Sequence, residues 1–361
     1  KVMILVGARR VGKTVLMNEI RRDWPGEVTF WNGEDFSVHE MVQRRSIQHY
    51  NQILGNTKLL MIDEAQHIPD VGEILKLMVD SFPQLTIFIS GSSAFGINQK
   101  TGEPLTGRKS TVNLFSLAEQ ELIPFEKSQD RMDKLRQRLI FGNLPEVFSL
   151  QTSSEKAAYL HDLVNAYLLK DILSFENIRN ATKLFNLLKL IAYQTGSEVS
   201  LEELGRQLAL SKNTVERYLD LLSKSFVIYK LSGFSRNLRK EVTKSAKWYF
   251  FDNGIRNAII ANFAGIEQRN DIGLLWENYI INERLKHQHY SGMIVNNYFW
   301  RTYDQQEIDW VEDCNGDLSA TEFKWQSKKV KIPGAWQKAY PNARFQIITH
   351  ANFQKFLGIT L

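Results

Sequence analysis

The segment GARRVGKT, residues 7–14, constrains this chain more than any other stretch. It follows the apolar run VMILV at 2–6 and precedes the helix-patterned VLMNEIRRD at 15–23. Strand, glycine-rich loop and helix in that order predict a parallel βα unit whose loop lies close against a ligand's phosphates. Gly7 and Gly12 permit the close approach. The backbone N–H groups of Ala8, Arg9, Arg10, Val11, Gly12, Lys13, Thr14 and Val15 would then surround an anion at a helix N-terminus. Lys13 is expected to reach the β and γ phosphates of ATP, and Thr14 to offer its hydroxyl to Mg²⁺. A glycine-rich turn with a solvated lysine would explain the glycines, but not their place between strand and helix.

A second acidic signal lies downstream. EVTFWNGED (27–35) reads as a strand entering a polar loop, and KLLMIDEAQH (58–67) places four apolar residues before Asp63 and Glu64. A buried parallel strand that ends in carboxylates delivers them to the C-terminal edge of the sheet, where open α/β sheets hold ligands. Asp63 is expected to hold Mg²⁺, and Glu64 to orient or deprotonate the attacking water. LTIFISGSS (85–93) is a further strand that brings Ser92 or Ser93 near the γ phosphate. Arg108, in the basic segment NQKTGEPLTGRKS (98–110), is a candidate to stabilise transition-state charge, in cis or across a subunit interface. A homo-oligomer is required only if it acts across such an interface.

At 361 residues the chain has room for two or three domains. It has no uninterrupted apolar run of about 18 residues, so no membrane span is expected. One cysteine, Cys314, excludes an intrachain disulfide framework and suits a reducing, cytoplasmic setting. The seven histidines form no metal-ligand motif. The chain opens with Lys1 directly on the first strand, so a preceding segment is expected to be missing. The net charge of +5 is compatible with an acidic partner such as DNA.

Residues 126–196 are helix-patterned and read as a lid. Between 197 and 255, SLEELGRQLAL and TVERYLDLLSKS are two short helices broken at SKN, with Asn213 and Glu216 suiting a helix start. The strands FVIYKL and KWYFFD would flank a wing, making this a winged helix-turn-helix. Its wing carries Arg236, Arg239, Lys240, Lys244 and Lys247 against Glu241. With Lys212 and Arg217 nearby, the wing fits phosphate tracking on DNA, and equally a protein-packing role.

From 256 to the end, the helix bearing Glu277 precedes VNNYFWRT, QEIDWVED and LSATEFKWQ, then GAWQKAY and ARFQIITH. This α, β, β, β, α, β order with E…D…ExK resembles the core of restriction-endonuclease-like domains. Asp309 and Glu322 on neighbouring strands would converge on a divalent metal. Lys324 shares a face with Glu322, and Glu277 completes the acidic set. Ion pairing at the surface is the other reading of those residues.

Taken together, GARRVGKT, LLMIDEAQ, ISGSS, LTGR at 105–108, GNLPEV at 142–147 and YLLKDIL at 167–173 resemble a bacterial and archaeal family of AAA-type P-loop ATPases with a C-terminal domain of unknown function. The resemblance implies an α/β fold in four parts. These are a P-loop ATPase core at 1–125, a helical lid at 126–196, a winged helix at 197–255 and a restriction-endonuclease-like domain at 256–361. Two functions follow. One is a Mg²⁺-dependent ATPase controlling a nuclease-like module that acts on DNA. The other is a nucleotide-gated switch whose nuclease-like fold is catalytically silent.

Overall fold

The computed structural model describes residues 1–92, 105–168, 180–235, 246–326 and 330–359. The chain divides into two compact units, residues 1–116 with 224–226 and residues 117–223 with 227–361.

The first unit runs β1 (Val2–Val6), α1 (Lys13–Asp23), β2 (Val28–Asn32), α2 (Phe36–Val42), α3 (Ile47–Leu54), β3 (Leu59–Asp63), α4 (Val71–Ser81), β4 (Thr86–Gly91) and β5 (Lys109–Asn113). The strands form one sheet in the order β2-β3-β4-β1-β5, with parallel pairings throughout. A parallel sheet covered on both faces needs near-continuous apolar strands. LLMID in β3 is buried along its whole length, and β4 is buried beyond Thr86. Alternation sends successive side chains to opposite layers. Leu60, Ile62, Ile87 and Ile89 pack on Val71, Ile74, Leu75 and Met78 of α4. Leu5, Leu59, Met61 and Phe88 pack on Met17 of α1. Each such aliphatic side chain contributes about 1.5–3 kcal/mol on burial, so these two layers fix the strand ends in space.

The second unit opens with α5 (Glu119–Leu122), α6 (Arg131–Phe141), α7 (Pro145–Ser149), α8 (Ser153–Asp162) and α9 (Ala181–Tyr193). Next come β6 (Glu198–Val199), α10 (Leu201–Leu208), α11 (Lys212–Lys224), β7 (Ile228–Gly233), β8 (Ala246–Phe250) and α12 (Asn253–Ile259). It closes with α13 (Ile272–Tyr290), β9 (Asn296–Arg301), β10 (Glu307–Cys314), β11 (Asp317–Phe323), α14 (Gly334–Ala339), β12 (Arg344–Ile348) and α15 (Phe353–Phe356).

One seven-stranded sheet, β12-β11-β10-β9-β7-β8-β6, runs through this unit. Ser232 and Gly233 of β7 pair in parallel with Tyr298 and Phe299 of β9. The strands expected to flank a wing and the strands of the C-terminal segment therefore belong to one sheet. The boundaries drawn at 125/126, 196/197 and 255/256 all fall inside one compact body. Helix α13 covers the sheet with Trp276, Tyr279 and Ile280, which pack with Trp310, Phe323 and Ile348. Between α10 and α11 the chain turns through Ala209, at φ 50°. Helix α11 begins two residues earlier than the sequence suggested, at Lys212. The Ser211 hydroxyl, not the Asn213 side chain, accepts the capping N–H, from Thr214 at 3.1 Å.

Candidate functional site

In the first unit, β1, β3 and β4 are parallel, so Val6, Asp63 and Gly91 all mark the C-terminal edge of the sheet. The loop leaving β1 is held tightly. A Cβ on Gly7 would lie 2.2 Å from the Leu114 carbonyl oxygen, so no other residue fits there. Arg10 (φ 64°) and Gly12 (φ 102°) adopt left-handed backbone, which wraps the loop around a concavity of N–H groups. No side chain caps α1, leaving its first N–H groups for a ligand. Lys13 is only 5% exposed, and its amine donates to the carbonyls of Gly7 (3.0 Å) and Ala8 (2.9 Å). Val11 is buried and Arg9 half-buried, whereas Val15 stands exposed on the first turn of α1.

The structure brings the acidic pair to this loop. The Thr14 hydroxyl donates to Asp63 Oδ2 at 2.8 Å. Asp63 Oδ1 accepts from the Ser90 hydroxyl and from the Glu64 N–H at 3.2 Å. A hydroxyl and a carboxylate oxygen in contact are the hard donors that Mg²⁺ prefers, and the two fit such an ion. Glu64 itself sits at φ 50°, a left-handed conformation that costs a bulky residue about 1–3 kcal/mol and marks a constrained site. Beneath it, Gly33 donates to the Asp63 carbonyl at 2.7 Å, and a Cβ there would meet the Glu64 carbonyl oxygen at 2.4 Å.

Three residues of this site were not singled out from the sequence: Gly33, Ser90 and Gln66. Ser90 lies inside the ISGSS segment, but only the pairing of β3 with β4 puts it beside Asp63. Gln66 donates through Nε2 to Glu64 Oε2 and to the Ser92 hydroxyl at 3.2 Å. Ser92 is thus joined to the acidic pair, while Ser93 lies outside the described residues.

Arg108 is a correction. Its carbonyl accepts from the Val2 N–H at 2.8 Å, and Lys109 pairs with Val2. That is the start of β1, whereas the phosphate-binding loop leaves its far end, roughly 13 Å along at about 3.3 Å per residue. The guanidinium is engaged by Asp80 at 2.7 and 3.2 Å. A charge-stabilising role in cis is therefore excluded.

In the second unit, Glu277, Asp309, Glu322 and Lys324 form one linked cluster. Lys324 Nζ donates to Glu322 Oε2 at 2.8 Å and Asp309 Oδ2 at 3.4 Å. The Phe323 N–H also donates to Asp309 Oδ2, at 2.9 Å. Glu277 accepts from the Tyr249 hydroxyl at 2.7 Å and lies 4.0 Å from the Lys247 amine, which also binds Glu307. Burial pushes the Glu277 carboxyl up to about 7, with the Asp309 carboxylate adding to it and Lys247 opposing. Glu322 is likewise pushed to about 7, by burial and then by Asp309. Burial disfavours the Lys324 ammonium, but Asp309 and Glu322 outweigh it and raise its pKa. Glu277 is held by Tyr249 and Lys247, and no group of three or more His, Cys, Asp or Glu donors is poised for a metal among the described residues. Lys247 and Tyr249 are members of this cluster that the sequence did not reveal.

Lys247 also corrects the wing. It is 2% exposed and bound to carboxylates, so it is not a phosphate-tracking residue. Arg236, Arg239, Lys240, Glu241 and Lys244 lie outside the described residues. On α11 the exposed face carries Lys212 and Arg217 against Glu216 and Asp220, a charge-balanced surface, and Lys212 is paired with Glu202 at 3.0 Å. No helix among the described residues is long and apolar enough to cross a membrane.

Residues 1–123 match the family described as an AAA domain. Residues 132–268 and 272–355 match two families described as domains of unknown function, DUF8612 and DUF4143. The chain is 26% identical over 338 residues to an uncharacterized protein of Mycobacterium tuberculosis, covering 92% of this chain and 71% of that one. It is 24% identical over 363 residues to an uncharacterized protein of Haemophilus influenzae, covering 93% and 89%. Among solved structures, RuvB of Thermotoga maritima overlaps 63% of this chain and 81% of its own at 16% identity, with a TM-score of 0.31. The Orc1 protein of Aeropyrum pernix, in complex with DNA, overlaps 73% and 87% at 10% identity, with a TM-score of 0.35. Those scores are too low to carry the fold, which rests on the parallel strand order itself.

Proposed function

We propose, from the premise that this chain carries an AAA-type, nucleotide-binding ATPase domain followed by a C-terminal domain of unknown function, that it hydrolyses ATP with Mg²⁺ and uses its nucleotide state to control the C-terminal part. The observation that carries this reading is the contact of Thr14 with Asp63 beside the buried Lys13. The loop N–H groups and Lys13 take the phosphates, and Thr14 and Asp63 hold the metal ion. A Mg²⁺ ion held there would supply charge neutralisation at the transferring phosphoryl group. Glu64 orients the attacking water and takes its proton. Arg108 has no part in this centre unless a second copy receives it.

ATP turnover by the intact chain, by Lys13→Ala and by Glu64→Gln tests the reading. Glu64→Gln should keep ATP binding and lose about 10²–10⁴-fold in turnover, the range of general-base catalysis. Lys13→Ala should weaken binding as well. Equal rates in all three proteins would remove hydrolysis at this site.

A second reading is favoured by Lys324, whose ammonium already neutralises Asp309 and Glu322. On it the C-terminal fold is a silent docking body, and the chain is a nucleotide-gated switch. The balanced charge of the α11 face supports a protein partner at that helix over DNA phosphates. A DNA partner would rest on residues 236–245, which carry the remaining basic side chains of the wing.

A further inference from the structure

Gln66 sits two residues beyond Glu64, and nothing in the phosphate-binding pattern assigns it a task. It is 4% exposed, in the short 3₁₀ turn Ala65–His67 that follows β3. Its side-chain nitrogen contacts two oxygens, Glu64 Oε2 and Ser92 Oγ. An ionised carboxylate only accepts hydrogen bonds, so the amide must turn its NH₂ towards Glu64. The second N–H then reaches Ser92, whose hydroxyl acts as acceptor and keeps its own proton for another acceptor. Glu64 is also fixed from the backbone side. Its N–H is bound by Asp63 Oδ1 and by Ser90 Oγ at 3.1 Å. Backbone and side chain of one glutamate are thereby pinned to the ends of β3 and β4.

We propose that Gln66 is a positioning residue for ATP hydrolysis: it holds the Glu64 carboxylate in place and ties it to Ser92 at the end of β4. The proposal rests on the reading of Glu64 as the water-orienting base. Holding a base against rotation matters because a displacement of about 1 Å in a reacting group costs on the order of 10²-fold in rate. Since Gln66 bears no charge and contacts a carboxylate and a hydroxyl, its loss should change turnover without changing how tightly the phosphates are held.

The test measures kcat, KM for ATP and ATP binding for the full chain and two variants. Gln66→Ala should lower kcat by about 10–100-fold while KM and the binding of a fluorescent ATP analogue stay within about 2-fold. Gln66→Glu is nearly isosteric, so it serves if the alanine variant fails to fold. It sets a carboxylate against Glu64 in place of the donating amide, so kcat should fall as well while KM stays within about 2-fold. A residue that only supported packing would not separate kcat from KM in this way. Unchanged kcat in Gln66→Ala or in Gln66→Glu overturns the proposal while Glu64→Gln remains inactive and the ATPase reading stands. Full turnover in Glu64→Gln removes the base itself, and both claims fall together.

Discussion

The two units each gather carboxylates at the ends of strands, but they neutralise them differently. In the first, Asp63 is held by neutral hydroxyls, from Thr14 and Ser90, and by a backbone N–H. In the second, Asp309 and Glu322 share the ammonium of Lys324, and Glu277 faces that of Lys247. A carboxylate held by dipoles keeps its full negative charge for a cation that arrives with a ligand. A carboxylate held by an ammonium already has its counter-ion, and a metal must displace it first. The same residue types are therefore held by hydroxyls and backbone in one unit and by ammonium groups in the other.

The largest effect should come from removing the charge of Asp63, which hydroxyls and a backbone N–H hold. Asp63→Asn keeps an oxygen for the Thr14 hydroxyl but loses the carboxylate. Mg²⁺-dependent ATP binding should weaken by about 10–100-fold, as for changes around other metal sites. Titration of ATP with and without Mg²⁺ reads this directly. If the Mg²⁺ dependence of the variant matches that of the parent, Asp63 is no metal ligand and the contrast between the units disappears.

A smaller effect of opposite sense is expected at the second cluster. Lys324→Met strips the shared ammonium from Asp309 and Glu322. Breaking a buried ion pair costs about 3–5 kcal/mol, and less here because the Lys324 side chain is a third exposed. Mn²⁺ should then restore more stability to the variant than to the parent, because it takes the place left open. Thermal denaturation across a Mn²⁺ series, run beside a DNA-cleavage assay, also separates the two functional readings. Cleavage by the parent that is lost in the variant would make Lys324 part of a nuclease, and would show that the cluster is more than self-compensated. An equal Mn²⁺ response in both proteins would show that the ammonium does not guard the site.

Legibility of the molecule in its sequence followed the range of the interactions involved. Lys13, Thr14, Asp63 and Glu64 could be singled out because a loop and a strand end leave local signals, and the structure brings Thr14 and Asp63 into contact. Ser90, Gly33 and Gln66 were not, because their roles arise only when β2, β3 and β4 lie side by side. Arg108 misled because a sequence near a catalytic loop carries no information on which end of the sheet it joins. Lys247 misled for a related reason. In a run of basic residues it looks solvated, yet in β8 it is buried against Glu277 and Glu307. The α10–α11 pair was visible as helices from periodicity, but the cap went to Ser211. The joining of β7 to β9 was invisible, since parallel pairing leaves no local signature.

The subtlest way to probe the contrast is through protons. The Glu277 carboxyl is pushed from 4.5 to about 7 in the folded chain, first by burial and then by Asp309. Between those two values the folded state holds a proton that the unfolded state has released. Stability supplied by this group is therefore present at low pH and declines as pH rises from about 4.5 through 7. Glu277→Gln keeps an oxygen to accept from Tyr249 and cannot titrate, so it should lose up to one proton's worth of that slope. Urea midpoints measured from pH 5 to pH 8 give the comparison. The slope should flatten without vanishing, because Glu119 and Glu322 are also pushed to about 7. A slope in Glu277→Gln equal to that of the parent would mean that this carboxyl does not hold the proton.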